Sequence, residues 1–136
     1  TGFASQFLKS RRLVVLIALI SLASLMALYL FSRDKSPAYY YAVIFALGLC
    51  AGYWAVFVTV AVEQFGTNLR ATVGITVPNF VRGLLLPMPL AFQALKGSIG
   101  LRYSALSIGT LAVLLALFAL WQLKESYGRD LDFIEA

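Results

Sequence analysis

The segment Glu63-Gln-Phe-Gly-Thr-Asn-Leu-Arg70 is a short polar loop between two apolar stretches, and it decides how the chain must fold. Each flanking stretch can cross a bilayer, whose hydrocarbon core is about 30 Å thick and takes roughly 20 helical residues. Because these runs are continuous and not strictly alternating, they predict membrane-spanning helices and exclude the strands of a membrane barrel. The sequence contains four such runs, at residues 13–31, 38–62, 72–95 and 103–123.

The composition is that of a polytopic, all-α membrane protein. The 136 residues are 61% hydrophobic and 12% charged, whereas an average soluble domain is roughly 25% charged. The net charge of +5 lies mostly in loops and tails. Membrane topology and attraction to anionic lipid explain it better than nucleic-acid binding does. Histidine is absent and Cys50 is the single cysteine. We therefore expect no disulfide, metal site, cofactor or enzymatic activity within one chain.

Short connections between the runs predict the topology. Links at residues 32–37, 63–71 and 96–102 make neighbouring spans antiparallel and place both termini on one side. That side has more lysine and arginine, so the positive-inside rule predicts cytoplasmic termini in a plasma or inner membrane. The first residue is threonine, so the chain is expected to be a piece of a longer protein. The expected parts are a cytoplasmic loop with the end of a preceding helix at 1–12, a four-helix transmembrane segment at 13–123 and a cytoplasmic tail at 124–136.

Arg82 is the one residue inside a predicted span that is charged at neutral pH. At about 100° per residue, it shares one third of the helix circumference with Thr72, Thr76, Asn79 and Gly83. An arginine inside the membrane costs from about 2.5 to beyond 10 kcal/mol, so it should face water or a polar partner. Two interpretations remain open. The guanidinium faces an anionic or hydroxyl-rich solute, or it forms a structural ion pair with an acid outside this chain.

Prolines and glycines predict where the helices bend and pack. In the third span Pro78, Pro87 and Pro89 each remove a backbone donor and should kink or interrupt the helix. Gly48 and Gly52 form a G-x-x-x-G pattern in the second span, a spacing that lets two helix backbones approach closely. The residues predicted to set packing and bending are Gly48, Gly52, Pro78 and Pro87.

Three polar segments together resemble the C-terminal half of a major facilitator superfamily transporter. Residues 2–12 (GFASQFLKSRR) resemble the family's G-x-x-x-D-R-x-G-R-R loop, and residues 63–70 (EQFGTNLR) resemble its E-x-F-P-T-x-x-R segment. Residues 125–135 (ESYGRDLDFIE) are similar to its P-E-T-K-G-R-x-L-E-E-I tail. The resemblance implies helices nine to twelve of a 12-helix fold that works by alternating access. Departures from the family pattern include Gln6, Lys9, Gly66 and Lys124.

A secondary transporter of a small polar solute is thus the function that we expect, with a proton or sodium as coupling ion. Its partners would be the lipid bilayer, the solute and the remaining helices of the same transporter. We expect Asn79 and Arg82 to line the substrate path, and Glu63 to pair with Arg11 or Arg12 in the outward-facing state. The predicted cytoplasmic gating charges are Arg11, Arg12, Glu63 and Arg70.

Two alternatives are of a different kind. The charges at the cytoplasmic ends of the helices could serve topology alone, without a gating role. The chain could also be a small four-helix membrane scaffold or assembly subunit. Its interfaces would then be the G-x-x-x-G face of the second span and the polar third span.

Overall fold

Six helices make up the computed structural model, which describes residues 9–84 and 86–124. Four stretches are long and apolar enough to cross a membrane: Arg11–Phe31, Pro37–Glu63, Arg70–Ile99 and Leu101–Gln122. For the described residues, the prediction of an all-α fold with four helical stretches long and apolar enough to cross a membrane is therefore confirmed, and it indicates an integral membrane protein. Residues 2–8 and 125–135 of the family resemblance lie outside the described residues. The helices are α1 (Arg11–Phe31), α2 (Pro37–Ala51), α3 (Trp54–Glu63), α4 (Arg70–Gly83), α5 (Pro87–Ile99) and α6 (Leu101–Gln122).

The first span begins earlier than its apolar run. The Ser10 hydroxyl accepts a hydrogen bond from the Leu13 backbone N–H at 3.2 Å and caps the helix. A capping serine satisfies one of the backbone donors that the first turn leaves unpaired. Arg11 and Arg12 therefore lie on the first turn of α1, although the sequence had placed them in a loop.

The second span is interrupted at Gly52 and Tyr53, where the sequence predicted one continuous helix. The Gly52 N–H donates to the Leu49 carbonyl at 3.2 Å, and the Tyr53 N–H donates to the Cys50 carbonyl at 3.1 Å. These bonds span three residues instead of four, so the chain tightens for one turn between α2 and α3. Glycine has low helix propensity, which favours such a change at Gly52.

The third span is also divided, because α4 ends at Gly83 and α5 begins at Pro87. Proline is well suited to the first position of a helix, where its missing N–H has no partner to lose. Pro78 lies inside α4, which continues around it. Pro89 lies in the first turn of α5. Of the three prolines that were expected to kink or interrupt the span, Pro87 is the one at the interruption.

Gly100 alone connects α5 to α6, where a connection at residues 96–102 was predicted. Lys96 and Arg102 lie on the helices themselves, because hydropathy marks the bilayer crossing and a helix can extend past it. The Gly100 backbone has φ 81° and ψ 167°, a conformation that is essentially restricted to glycine.

Replacing Gly100 by alanine should lower the thermal stability of the protein in detergent. A Cβ at this position meets no atom within 4 Å, so the loss would report backbone strain, about 1–3 kcal/mol, without a steric clash. Gly97→Ala is the matched control, since Gly97 is helical and equally open. That control should be neutral or gain about 0.5–1 kcal/mol. Equal unfolding midpoints for the two variants would contradict the strain at Gly100.

The four spans form a ring in which each span packs against the next and the fourth packs against the first. Helix α1 contacts α2, α3 and α6, while α4 packs on α3 and α5 packs on α6. The third span therefore crosses from the second span to the fourth as it traverses the membrane. Gly109 of α6 lies against Met26 of α1, and a Cβ on Gly109 would come within 2.7 Å of the Met26 Cε.

Burial is concentrated at one end of this bundle. We call it the Glu63 end; it contains the start of α1, the end of α3, the start of α4 and the end of α6. The opposite end, at the junction of α5 and α6, is the Gly100 end. All but one of the buried apolar residues lie in the half toward the Glu63 end, and Val43 is the exception. These residues are Val14, Val15, Ala18, Leu19, Val56, Val60 and Leu120.

Candidate functional site

One face of α4 is polar and exposed along its whole length. The five residues that the sequence placed on one third of the circumference are all exposed in the structure. The opposite face is partly buried, and it is turned toward α3, because a Cβ on Gly74 would lie 3.4 Å from the Val62 Cγ2. We call the exposed set the polar face of α4: Thr72, Thr76, Asn79, Arg82 and Gly83.

Arg82 and Asn79 form the centre of this polar face. The Arg82 guanidinium donates a hydrogen bond to the Asn79 side-chain oxygen at 3.4 Å. The two residues are three apart, so they are neighbours on the helix surface. Arg82 is twelve residues past Arg70, which is about 18 Å along the helix axis and close to the middle of a 30 Å hydrocarbon core.

Nothing in the described part of the chain covers the polar face. The third span has no buried residue in its most apolar window, and Ile75 and Phe80, which accompany the polar groups, are 68% and 79% exposed. A guanidinium at this depth cannot remain against lipid without a cost of several kcal/mol. The polar face must therefore meet water or further polar groups in the membrane.

A second group of charges lies at the Glu63 end, where Arg11 and Glu63 form an ion pair between α1 and α3. The side chain of Glu63 is 9% exposed and that of Arg11 is 23% exposed. Each charge opposes the dipole of its own helix, since Arg11 is at a positive N-terminus and Glu63 is at a negative C-terminus. Pairing them across the two helices compensates both unfavourable placements.

Because Glu63 is nearly buried, its negative charge needs the ion pair with Arg11 for stabilisation. Its second carboxylate oxygen, Oε2, is buried and has no hydrogen-bond partner among the described residues. A buried carboxylate is costly unless it is paired and hydrogen-bonded. Val60, which precedes Glu63 by three residues on the same helix, is 2% exposed. Arg11 is therefore the partner on which the charge of Glu63 relies within this part of the chain.

Two further bonds connect the end of α6 to the same region. The Arg12 guanidinium donates to the Trp121 carbonyl at 3.2 Å, and the Gln64 amide donates to the Lys124 carbonyl at 2.9 Å. The last carbonyls of a helix have no partners within it, and a cation there also complements the negative end of the dipole. Arg12 and Gln64 thus join three spans at the Glu63 end.

The other predicted site residues have more local surroundings. Arg70 donates from its Nε to the Phe65 carbonyl at 3.2 Å, which closes the loop between α3 and α4. Gly48 is exposed, and a Cβ there would meet nothing within 4 Å. Gly52 lies at the interruption of the second span. The roles of Gly48 and Gly52 in packing, and of the charges in gating, stay predictions.

Sequence reasoning missed two residues that hold the structure together. Gln64 adjoins the singled-out Glu63, yet its bond to a carbonyl sixty residues away leaves no local signal. Gly109 permits the close approach of α6 to Met26, and a lone glycine in an apolar run gives no pattern to detect. Both depend on contacts between distant segments.

Comparison of the chain with protein-family models, with curated proteins and with solved structures found no match.

Proposed function

We propose that this chain contributes four membrane spans to a secondary transporter that moves a small polar solute by alternating access. The proposal includes the expectation that these are the C-terminal four helices of a major facilitator fold, with both termini in the cytoplasm. The observation that carries it is the exposed polar face of α4, with Arg82 hydrogen-bonded to Asn79 near the middle of the membrane. Charged groups at this depth are costly, and they commonly mark a solute or ion pathway.

The interruption of the third span supports a site next to Arg82. Transporter sites near the bilayer midplane are typically formed by discontinuous helices, whose N-termini favour the anionic groups of a solute. Here α5 starts at Pro87, close in sequence to Arg82. The Arg82 guanidinium favours negative charge, so a solute with a carboxylate or phosphate group suits the site best.

The uneven packing of the bundle supports alternating access. The Glu63 end is closed by the apolar core and by the Arg11–Glu63 pair, whereas the half toward the Gly100 end contains two buried residues among those described, Val43 and Ser104. If the Glu63 end is cytoplasmic, the structure corresponds to the arrangement expected of an outward-facing half. The described spans contain one acid, Glu63, at the edge of α3. A carboxylate that couples transport to a proton or sodium would therefore come from the remaining helices.

A cysteine at Asn79 tests the proposal without knowledge of the solute. We expect Asn79→Cys, made with Cys50→Ser, to react with a membrane-impermeant thiol reagent in intact membranes, because a transport path contains water. Leu114→Cys on the exposed side of α6 is the matched control and should stay unreactive in lipid. If both cysteines are equally unreactive, the polar face is dry and the transporter proposal fails.

A membrane scaffold or assembly subunit is the second candidate, and the open surface at Gly48 favours it. An exposed glycine on a spanning helix is a site where another helix can approach closely. In a scaffold the polar face of α4 would be covered by a dry helix contact. The cysteine experiment therefore separates the two functions, since Asn79→Cys is protected in a scaffold and reactive in a transporter.

A further inference from the structure

The junction of α5 and α6 contains two cations that membrane topology does not explain. Lys96 is on the last turn of α5 and Arg102 is on the first turn of α6, with no acid between them. Neither side chain has an ion pair or hydrogen bond with the residues that the structure describes. If both termini are cytoplasmic, this junction is outside, where the positive-inside rule expects fewer lysines and arginines. The charge of the junction therefore needs another explanation.

Gln93 is on the exposed side of α5, one turn before Lys96. The partly buried residues Met88, Phe92 and Leu95 recur at the spacing of one helix face, and that face is turned toward α6. At about 100° per residue, Gln93 lies roughly 130° around the helix from the middle of this face. Its amide has two donors and an acceptor, and it bonds to none of the described residues.

Gln93 and Lys96 extend the polar groups of Arg82 toward the Gly100 end. Eleven residues make about three helical turns, so Gln93 returns to nearly the same side of the third span as Arg82. It is about 16 Å from Arg82 along the axis, which is near the edge of a 30 Å hydrocarbon core. Lys96 is about 5 Å further out, at headgroup depth.

The interruption of the third span lies between Arg82 and Gln93. Because Pro87 has no N–H, the Gly83 carbonyl instead accepts a long bond of 3.5 Å from the N–H three residues on. Backbone of this kind at membrane depth is tolerated where it lines water or is covered by protein. We call the line from Arg82 through the interruption to Gln93 and Lys96 the outer route.

We propose that Lys96, together with Arg102, draws an anionic solute into the outer route from the Gly100 end, and that Gln93 is its first hydrogen-bonding contact. The Glu63 end is closed by the core and by the Arg11–Glu63 pair, so the Gly100 end is the side from which a solute reaches Arg82. Exposed cations at a path raise the local concentration and the arrival rate of anions. The inference rests on the proposed function, since it names the side of entry to the same site and the residues that select charge there.

The connection between α1 and α2 provides a charge-matched control at the same end. Arg33 and Lys35 flank Asp34, which offsets one of the two positive charges. This connection joins the first and second spans, across the ring from the junction of the third and fourth. Exposed charges act over about 8–10 Å at physiological ionic strength. Removing Arg33 should therefore have little effect on the outer route.

A cysteine at Gln93 measures the charge preference of this route without knowledge of the solute. Gln93→Cys, made with Cys50→Ser in the full chain, is treated in opened membranes with a sulfonate-bearing or a trimethylammonium-bearing methanethiosulfonate. Each rate is divided by the rate of the same reagent with 2-mercaptoethanol. We expect the anionic reagent to react about fivefold faster, because a cation one turn away acts in opposite directions on the two reagents. At 1 M salt, where the screening length is about 3 Å, the ratio should approach one.

Three variants identify the source of the preference. Lys96→Gln should remove most of it, and Lys96→Arg should keep it, because positive charge attracts the reagent whatever the shape of the cation. Arg33→Gln should leave the ratio unchanged. If Lys96→Gln has no effect, or has the same effect as Arg33→Gln, Lys96 serves lipid headgroups or general surface charge and the inference is wrong.

The reaction of Asn79→Cys distinguishes failure of this inference from failure of the proposed function. A reactive Asn79→Cys with no charge preference at Gln93→Cys overturns the entry route alone. An unreactive Asn79→Cys removes the water-filled path itself, and with it both proposals. Reaction at both cysteines, with an anion preference that is lost in Lys96→Gln, supports entry of an anionic solute from the Gly100 end.

Discussion

Replacing Arg82 by alanine should reduce solute uptake by about 10- to 150-fold, the equivalent of one lost hydrogen bond to a charged group of about 1.5–3 kcal/mol. The variant should still insert and fold, because it removes a cation that costs at least about 2.5 kcal/mol at the middle of a spanning helix. We therefore expect thermal stability equal to or above that of the wild type together with lost transport. A substitution that stabilises the fold while it abolishes function is typical of a residue that serves a functional site at a cost in stability.

The measurement begins with a panel of small carboxylates, phosphates and sugars, tested for thermal stabilisation of the wild-type protein in detergent. Uptake of the stabilising solute is then followed in proteoliposomes. Arg82→Lys keeps the positive charge but loses the planar fork of the guanidinium. It should therefore preserve a structural ion pair better than it preserves solute recognition. Arg33→Ala, which removes an exposed cation at the Gly100 end, is the control. Normal uptake by Arg82→Ala would remove Arg82 from the substrate path.

Replacing Glu63 by glutamine should open the Glu63 end. Loss of one partner from a fully buried ion pair costs about 3–5 kcal/mol, and the partial exposure of Arg11 lowers our expectation to about 2–3 kcal/mol. That change would raise the population of the open arrangement by about 30- to 150-fold. Val60, which is 2% exposed and lies one turn from Glu63, reports on the opening when it is replaced by cysteine. The expected result is a matching rise in the alkylation rate of Val60→Cys, made with Cys50→Ser.

A charge exchange provides the control for this second prediction. Arg11→Glu combined with Glu63→Arg restores opposite charges, and it also places each charge at the favourable end of its helix dipole. The exchanged protein should return the alkylation of Val60→Cys close to the original rate. Unchanged alkylation in Glu63→Gln would show that the pair does not control closure, and that these charges serve membrane topology.

The spans were predictable because a single physical requirement governs them. Every backbone polar group must be bonded within the segment in lipid, so a continuous apolar run of about 20 residues becomes a helix. The interruptions followed less directly from sequence. Pro87 and Gly52 occur at helix breaks, whereas Pro78 lies inside an uninterrupted helix, because a proline's effect depends on whether neighbouring groups can accommodate the lost bond. The connection at Gly100 was missed because hydropathy does not report how far a helix extends beyond the bilayer.

The polar face of α4 could be derived from helical periodicity, and the structure places all five of its residues on the exposed side. A second result was partly foreseen, since Glu63 was expected near Arg11 or Arg12, and the structure shows the ion pair with Arg11. The bonds of Arg12 to Trp121 and of Gln64 to Lys124 were not foreseen. Their partners are backbone carbonyls, which every residue has, so no residue type marks them in the sequence.

The sequence by itself predicted four helical stretches long and apolar enough to cross a membrane, and a polar face with a cation on one of them. Both follow from local properties, namely the length of apolar runs and the period of 3.6 residues. The tertiary structure alone decided which helices contact each other, that the core lies at the Glu63 end, and that Arg12 bonds to Trp121 between the first and last spans. Those features depend on side-chain packing between segments up to about a hundred residues apart, and close packing of that kind has no periodic signature in the sequence.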